Sequence, residues 1–211
     1  MPEVTCILTS CGRFDLLYLT IESFLLHNTY HITEFIIYED SAQPVPDELK
    51  KEFPFIRWIE PKFRKGQIVA LDTLWHEVKT PYAFTMEDDW ITTRGGFIEE
   101  SLKILQDNPT ILQVWLKGLE KNNNAPIDAR QYYGIFKRGK ELWAWHRFNP
   151  SLKRRSDYDL IAPFQKHTDF DPARGYKSEA AISKVYNQLG FTAAILPHQY
   201  IKHIGEGRRA L

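Results

Sequence analysis

Apolar and polar positions follow two rhythms along the chain. Short apolar runs, "VTCILT" (4–9), "EFIIYE" (34–39), "FIRWIE" (55–60) and "YAFTM" (82–86), predict strands buried on both faces. Between them the period lengthens to that of a helix. Leu17, Ile21, Phe24 and Leu25 recur at helical spacing with Asp15 in the first turn, and Ile68, Leu71, Leu74, Trp75 and Val78 do so after Gly66. "QPVPDELKKEFP" (43–54) reads as a proline-bounded polar connection. Phe97, Ile98, Leu102 and Leu105 outline a further helix, and "ILQVWL" (111–116) a strand. A last helix is predicted to begin near Ser178, bury Ile182, Val185, Tyr186 and Leu189, and stop at Gly190. "TAAILP" (192–197) and "YIKH" (200–203) read as short strands. Residues 117–172 are less periodic: "KNNNAP" marks a turn, and "ELWAWHRFNPSLKRR" is aromatic and basic.

Alternation of this kind predicts an α/β fold with a mostly parallel central sheet flanked by helices. Ligands of such sheets sit beyond the carboxyl ends of the strands. Three polar clusters fall there: Thr9–Ser10–Arg13, Glu39–Asp40–Ser41 and Glu87–Asp88–Asp89. Their shared place on one rim makes them a candidate site.

Composition narrows the partners. At 211 residues, 43% hydrophobic and 14% aromatic, the chain suits one globular domain. Lys plus Arg and Asp plus Glu are equal at 27 each, which argues against a nucleic-acid partner or a charged membrane surface. No apolar stretch approaches the roughly 20 residues of a membrane span. Two cysteines, Cys6 and Cys11, imply no disulfide framework. "MPEVTCILTSCGR" has neither the basic region nor the apolar core of a signal peptide. A soluble, cytoplasmic protein is the expectation. The flexible-looking "HIGEGRRAL" end suggests a fragment of a longer chain with further domains.

The acids carry the chemistry. Three carboxylates at a strand end suit a hard divalent cation, which takes oxygen ligands and bridges to phosphates; an isolated acidic triplet is as readily an exposed turn. The rim position and a downstream partner favour the metal. That partner is His203, followed by Gly205, Gly207, Arg208 and Arg209. A lone histidine at a strand end is ordinarily structural, but a basic glycine-rich segment beside it can fold over a diphosphate, which arginine matches bidentately.

At this point the residues resemble a family. "VTCILTSCGRFDLLYLTIESFL", "FIIYEDSA", "KGQIVALDTLW" and "YAFTMEDDW" are similar, in order and spacing, to the nucleotide-binding half of GT-A (nucleotide-diphospho-sugar transferase) glycosyltransferases, especially family 2-like enzymes. The resemblance implies residues 1–92 as the nucleotide-binding half and 93–211 as the acceptor-side half of one domain. It implies that Asp89 and His203 hold Mn²⁺ or Mg²⁺. Thr9, Arg13, Asp40, Arg64, Lys65, Glu87, Asp88, Arg208 and Arg209 would contact the nucleotide-sugar, with Asp40 on the base. "GYKSEAAISKVYNQLGF" resembles the later acceptor-side helix, usually entered by a Glu-Asp pair; here the pair is Ser178–Glu179. Glu179 is therefore read either as the catalytic carboxylate or as a first-turn acid stabilised by the helix dipole. Asp169 and Asp171, in "TDFDPARG", are the reserve catalytic candidates.

Trp143 and Trp145 alternate as on one strand face; one is assigned to the core and the other to acceptor contact, without choosing between them. The resemblance implies transfer of a hexose or 6-deoxyhexose, glucose- or rhamnose-type, from a UDP-sugar to a hydroxyl of a glycan acceptor. Length and sequence also resemble a glycosyltransferase domain that opens a large viral protein, which would place the chain in a host cytoplasm. The rival from another class is a non-catalytic glycan-binding or assembly domain of the same fold. Stereochemical outcome stays open.

Overall fold

The computed structural model describes residues 1–118, 137–138, 141–142, 146–168 and 175–208, with only the backbone described at 137–138, 141–142 and 175–177. Along the chain run β1 (Val4–Ser10), α1 (Phe14–His27), β2 (Glu34–Glu39), α2 (Asp47–Glu52), β3 (Ile56–Ile59), α3 (Gln67–Glu77), β4 (Tyr82–Glu87), β5 (Trp90–Thr92) and α4 (Phe97–Asp107). Then follow β6 (Ile111–Trp115), β7 (Lys137–Arg138), β8 (Glu141–Leu142), β9 (Ser151–Arg154), α5 (Arg155–Asp159), a 3₁₀ turn (Phe164–His167), α6 (Gly175–Gln188), β10 (Thr192–Ile195) and β11 (Ile201–His203).

Seven strands form the central sheet in the order β10-β6-β9-β4-β1-β2-β3. Every pairing is parallel except those of β9, which lies antiparallel between β4 and β6. This is the mostly parallel α/β sheet expected of the GT-A fold. Successive strand residues point to opposite faces, so one run of apolar residues builds two cores. Cys6 and Leu8, with Phe35, Ile37, Phe84 and Met86, pack under α1 and α4. Ile7, Ile36, Tyr38 and Ala83 pack under α3 and α6, where the Trp75 and Tyr158 rings stack 5.0 Å apart. Phe24 is the hub of the first layer, with its ring against Phe35, Phe84 and Phe97. Truncating so buried an aromatic costs about 3–5 kcal/mol.

The structure departs from the periodicity at several points. The proline-bounded connection contains a short helix, α2, anchored by buried Leu49. Leu25 and Leu189 are exposed, at 42% and 54%. α6 begins at Gly175, before Ser178, so Glu179 lies beyond the first turn and the helix-dipole reading of it loses its basis. β9 and β5 were not expected as strands. "KNNNAP" falls outside the described residues.

Parallel register brings the polar clusters to one rim. Ser10 lies opposite Glu39, and Thr9 opposite Glu87. β5 and β11 pair antiparallel beside that rim, setting His203 opposite Trp90 and next in space to Asp89. Among the described residues no helix is long and apolar enough to cross a membrane.

Candidate functional site

The three consecutive acids go to three different environments. Asp88 is 2% exposed and points back into the protein. Its carboxylate accepts from Ser10 Oγ (3.2 Å), the Cys11 amide (3.2 Å) and Arg13 Nε (3.3 Å), and pairs through Oδ1 with Arg13 Nη2. Burial pushes the Asp88 carboxyl above its usual range, and the Arg13 bonds pull it back part of the way. Asp88 thus anchors the β1–α1 loop, which carries Arg13.

Asp89 turns toward the C-terminal segment. Its Oδ2 lies 2.8 Å from Arg13 Nη1 and 3.2 Å from His203 Nε2, and its carbonyl accepts the Ile204 amide at 2.9 Å. Gly205 packs so closely here that a Cβ would stand 2.4 Å from Asp89 Oδ2. His203 also rests on the Trp90 ring, 4.8 Å between centroids.

Glu87 closes the inner side. Gln67 Nε2 donates to its Oε1 at 2.8 Å and Trp90 Nε1 to its Oε2 at 3.2 Å. Removal from water, then the charges of Asp89, Glu179 and Asp88, push this carboxyl up to about 8.

On the β2 side, Asp40 holds backbone. Its two oxygens accept the Lys65 and Gly66 amides, each at 2.7 Å, and shape the entry to α3, where Gly66 takes a φ of 89°. Arg64 and Lys65 are exposed beside this loop. Thr9 lies in the same rim, 8% exposed. Neighbouring Glu39, named in the sequence cluster but given no role, is 1% exposed. One of its oxygens takes the Gly12 and Ser41 amides at 2.8 and 2.9 Å; Oε2 has no partner among the described atoms.

Across β4, Glu179 Oε1 accepts the Phe148 amide at 2.8 Å. Burial raises the Glu179 carboxyl, against the lowering pull of that bond and of Arg147, Lys153 and Lys117. Sequence reasoning missed Lys153. It is 4% exposed on β9, donates to Thr85 Oγ1 at 2.6 Å, and is brought down to about 7 by burial, with Glu87 and Glu179 opposing. No local signal marks it, because a lysine in "SLKR" reads as exposed until its distant partners are known.

The tail reaches back over the rim. The Arg208 carbonyl accepts from Arg13 Nη1 at 3.0 Å, and its guanidinium forks the Asp15 carboxylate at 2.6 and 3.0 Å. The structure therefore gathers Arg13, Glu87, Asp88, Asp89, His203 and the Arg208 backbone at one place. Thr9, Asp40, Arg64 and Lys65 lie on the adjoining rim and Glu179 across β4. Trp143, Trp145, Asp169, Asp171 and Arg209 lie outside the described residues.

Among the described residues no three His, Cys, Asp or Glu side chains converge as a ready metal cage. The pair Asp89–His203 nonetheless fits a divalent ion. Adjacent ligands of an octahedral ion with bonds of about 2.1 Å stand about 3.0 Å apart, and these two donor atoms stand 3.2 Å apart.

No protein-family model matches the chain, and no curated protein matches it. Among solved structures, it is similar to a mannosyltransferase from Pyrobaculum calidifontis in complex with GDP-Man and Mn²⁺. The identity is 13% and the TM-score 0.68, over 99% of this chain and 59% of that one. At that identity the likeness establishes the fold.

Proposed function

We propose that the chain is a metal-dependent glycosyltransferase that moves a hexose or 6-deoxyhexose from a nucleoside-diphosphate sugar to a glycan hydroxyl. One observation carries the reading: a carboxylate oxygen of Asp89 and an imidazole nitrogen of His203 meet at 3.2 Å beyond the carboxyl ends of a parallel sheet. In such folds ligands bind at that rim. The fold shared with a GDP-Man and Mn²⁺ mannosyltransferase supports it. Uridine as the base rests on the sequence resemblance, and the neighbour's GDP-Man makes guanosine the other arm of any test.

Asp89 and His203 would hold Mn²⁺ or Mg²⁺, which supplies positive charge against the diphosphate that leaves. Arg13 is already fixed on both Asp88 and Asp89, so its charge is preorganised where the diphosphate's negative charge grows. Two unit charges 4 Å apart interact by about 4 kcal/mol at an effective dielectric near 20. Since about 1.4 kcal/mol is tenfold in rate, one such contact supplies two to three powers of ten.

On the sugar side the acceptor oxygen bonds to the anomeric carbon as the bond from that carbon to the diphosphate oxygen breaks. The bonding pair leaves with the diphosphate, and the acceptor proton passes to Glu179. Burial raises Glu179, which strengthens it as a base. Aligned with the acceptor hydroxyl, Glu179 gives inversion; beneath the reacting face it supports retention. NMR of the product separates the two.

A thermal-shift panel tests the reading. UDP, GDP and their sugars, each with and without Mn²⁺, should raise the melting temperature only where the nucleotide and metal are both present. A ligand at a hundred times its dissociation constant stabilises by about 2.7 kcal/mol. No shift with any nucleotide would defeat the proposal and leave the glycan-binding or assembly reading of the fold.

A further inference from the structure

At the carboxyl end of β6, where β11 passes, lies a cavity of about 150 Å³, bounded by Trp115, Lys117, Arg147, Asn149 and Ile201. Taking about 30 Å³ per water, it has room for several waters, or for part of a sugar. Its lining is unusual in sign. Two cations face it, each seated on an indole: the Arg147 guanidinium 5.3 Å from the Trp115 ring centre and Lys117 Nζ 4.5 Å from that of Trp90. Stacking fixes the plane of a guanidinium and leaves its fork of donors in a set direction. Asn149 adds an amide at the wall.

Like charges placed together in a part-buried pocket are unfavourable. Burial and then the Arg147 charge hold the Lys117 ammonium below its usual value, with Glu87 and Glu179 acting the other way. An anion held by both cations would add to the compensation that Glu179 already gives them. The indole of Trp115 and the Asn149 amide suit the body of a sugar, which presents both apolar and hydroxyl surface.

We infer that this cavity is a subsite for an anionic sugar, one bearing a carboxylate or a phosphate, held between Lys117 and Arg147. The charges of both residues also bear on Glu179. Under the glycosyltransferase reading, on which this assignment of role rests, the occupant is the acceptor, because the nucleotide loops of β1, β2 and α3 lie on the opposite side of β4.

Calorimetry without donor or metal, at physiological salt, tests the subsite with three probes: methyl β-D-glucoside, methyl β-D-glucuronide and glucose 6-phosphate. At least one anionic probe should bind tenfold or more tighter than the neutral glucoside, and the tighter of the two identifies carboxylate or phosphate. Lys117→Gln and Arg147→Gln should each remove about tenfold of that preference while leaving the neutral probe unchanged. If either variant fails to fold, wild-type protein still decides: anionic-probe affinity must weaken as salt is raised and neutral-probe affinity must not. Equal binding of charged and neutral probes, or a preference untouched by both variants, overturns the subsite. Nucleotide binding with Mn²⁺ in the same preparation reports separately on the transferase reading. If it is lost while charge discrimination persists, the transferase reading falls and the anionic-sugar site stands.

Discussion

Adding one methyl group at Gly205 should dismantle the Asp89 site from the far side. A Cβ built there stands 2.4 Å from Asp89 Oδ2, 2.8 Å from its Cβ and 2.9 Å from its Cγ. Non-bonded carbon contacts are optimal at about 3.5–4.0 Å, so the strap formed by Ile204 and Gly205 or the carboxylate must yield by roughly 1 Å. Neither moves freely. The strap is tied by the Ile204 amide to the Asp89 carbonyl at 2.9 Å, and Asp89 by Arg13 at 2.8 Å. Overpacking of this kind costs about 1–3 kcal/mol, and a chain of this size loses about 2–4 °C of melting temperature per kcal/mol. A 1 Å displacement of a positioned group can cost about a hundredfold in function. Gly205→Ala should therefore melt a few degrees early and bind Mn²⁺ with nucleotide 10- to 100-fold more weakly by calorimetry. Gly207→Ala is the control. Its φ of 76° strains an alanine, but nothing lies within 4 Å of the added carbon. It should share the stability loss and keep metal-dependent binding. Wild-type nucleotide affinity in Gly205→Ala would refute the reasoning.

The neighbouring acids should separate by function. Asp89→Asn is expected to keep the melting temperature and lose Mn²⁺-dependent nucleotide binding, whereas Arg13→Gln, which strands buried Asp88, should cost about 3–5 kcal/mol in denaturant unfolding. Lys153 should give stability a pH slope. Its ammonium titrates near 7 when folded and near 10.5 when unfolded, so the unfolded chain binds more protons between those values and stability rises with pH across that window. Below about 7 both states are protonated and the full cost of burial applies. Lys153→Met should remove the slope, its advantage over wild type shrinking from pH 7 to pH 10 in chemical denaturation. The exposed Arg208–Asp15 fork should matter little to folding. Arg208→Gln should melt as wild type does yet weaken nucleotide-diphosphate binding severalfold, and Asp15→Asn, which frees the guanidinium, should not weaken it. Equal weakening by both would assign the fork a structural role.

Much of the sheet was legible because its strands are buried on both faces. β1, β2 and β4 carry largely apolar, buried runs, and parallel pairing then requires their polar ends to share a rim. The distant histidine was joined to the acids by the basic glycine-rich segment beside it, and the antiparallel β5–β11 pair is what brings it there. The antiparallel β9 was not legible. "SLKR" looks like a surface turn until Lys153 is seen to be compensated by Thr85 Oγ1 and by the acids across the layer, partners far away in sequence. Division of labour among the acids was hidden as well. Sequence places Asp88 and Asp89 side by side, but only the turn after β4 sends one inward to Arg13 and the other outward to His203. Asp40 was assigned to a base, whereas its two oxygens are already engaged by backbone amides at the entry to α3. The start of α6 at Gly175 lies ahead of Ser178, the residue that resembled a helix opening, which changed the standing of Glu179.

The proposed function depends on Asp89 and His203 together making a metal-dependent sugar-transfer site. The most direct measurement is release of nucleoside diphosphate from UDP-glucose, UDP-rhamnose and GDP-mannose, followed with Mn²⁺, with EDTA, and in Asp89→Asn and His203→Ala. Release is expected from at least one donor with Mn²⁺, none with EDTA, and a loss of a hundredfold or more in both variants. Release that persists in EDTA, or that both variants retain at wild-type rates, would contradict the proposed function.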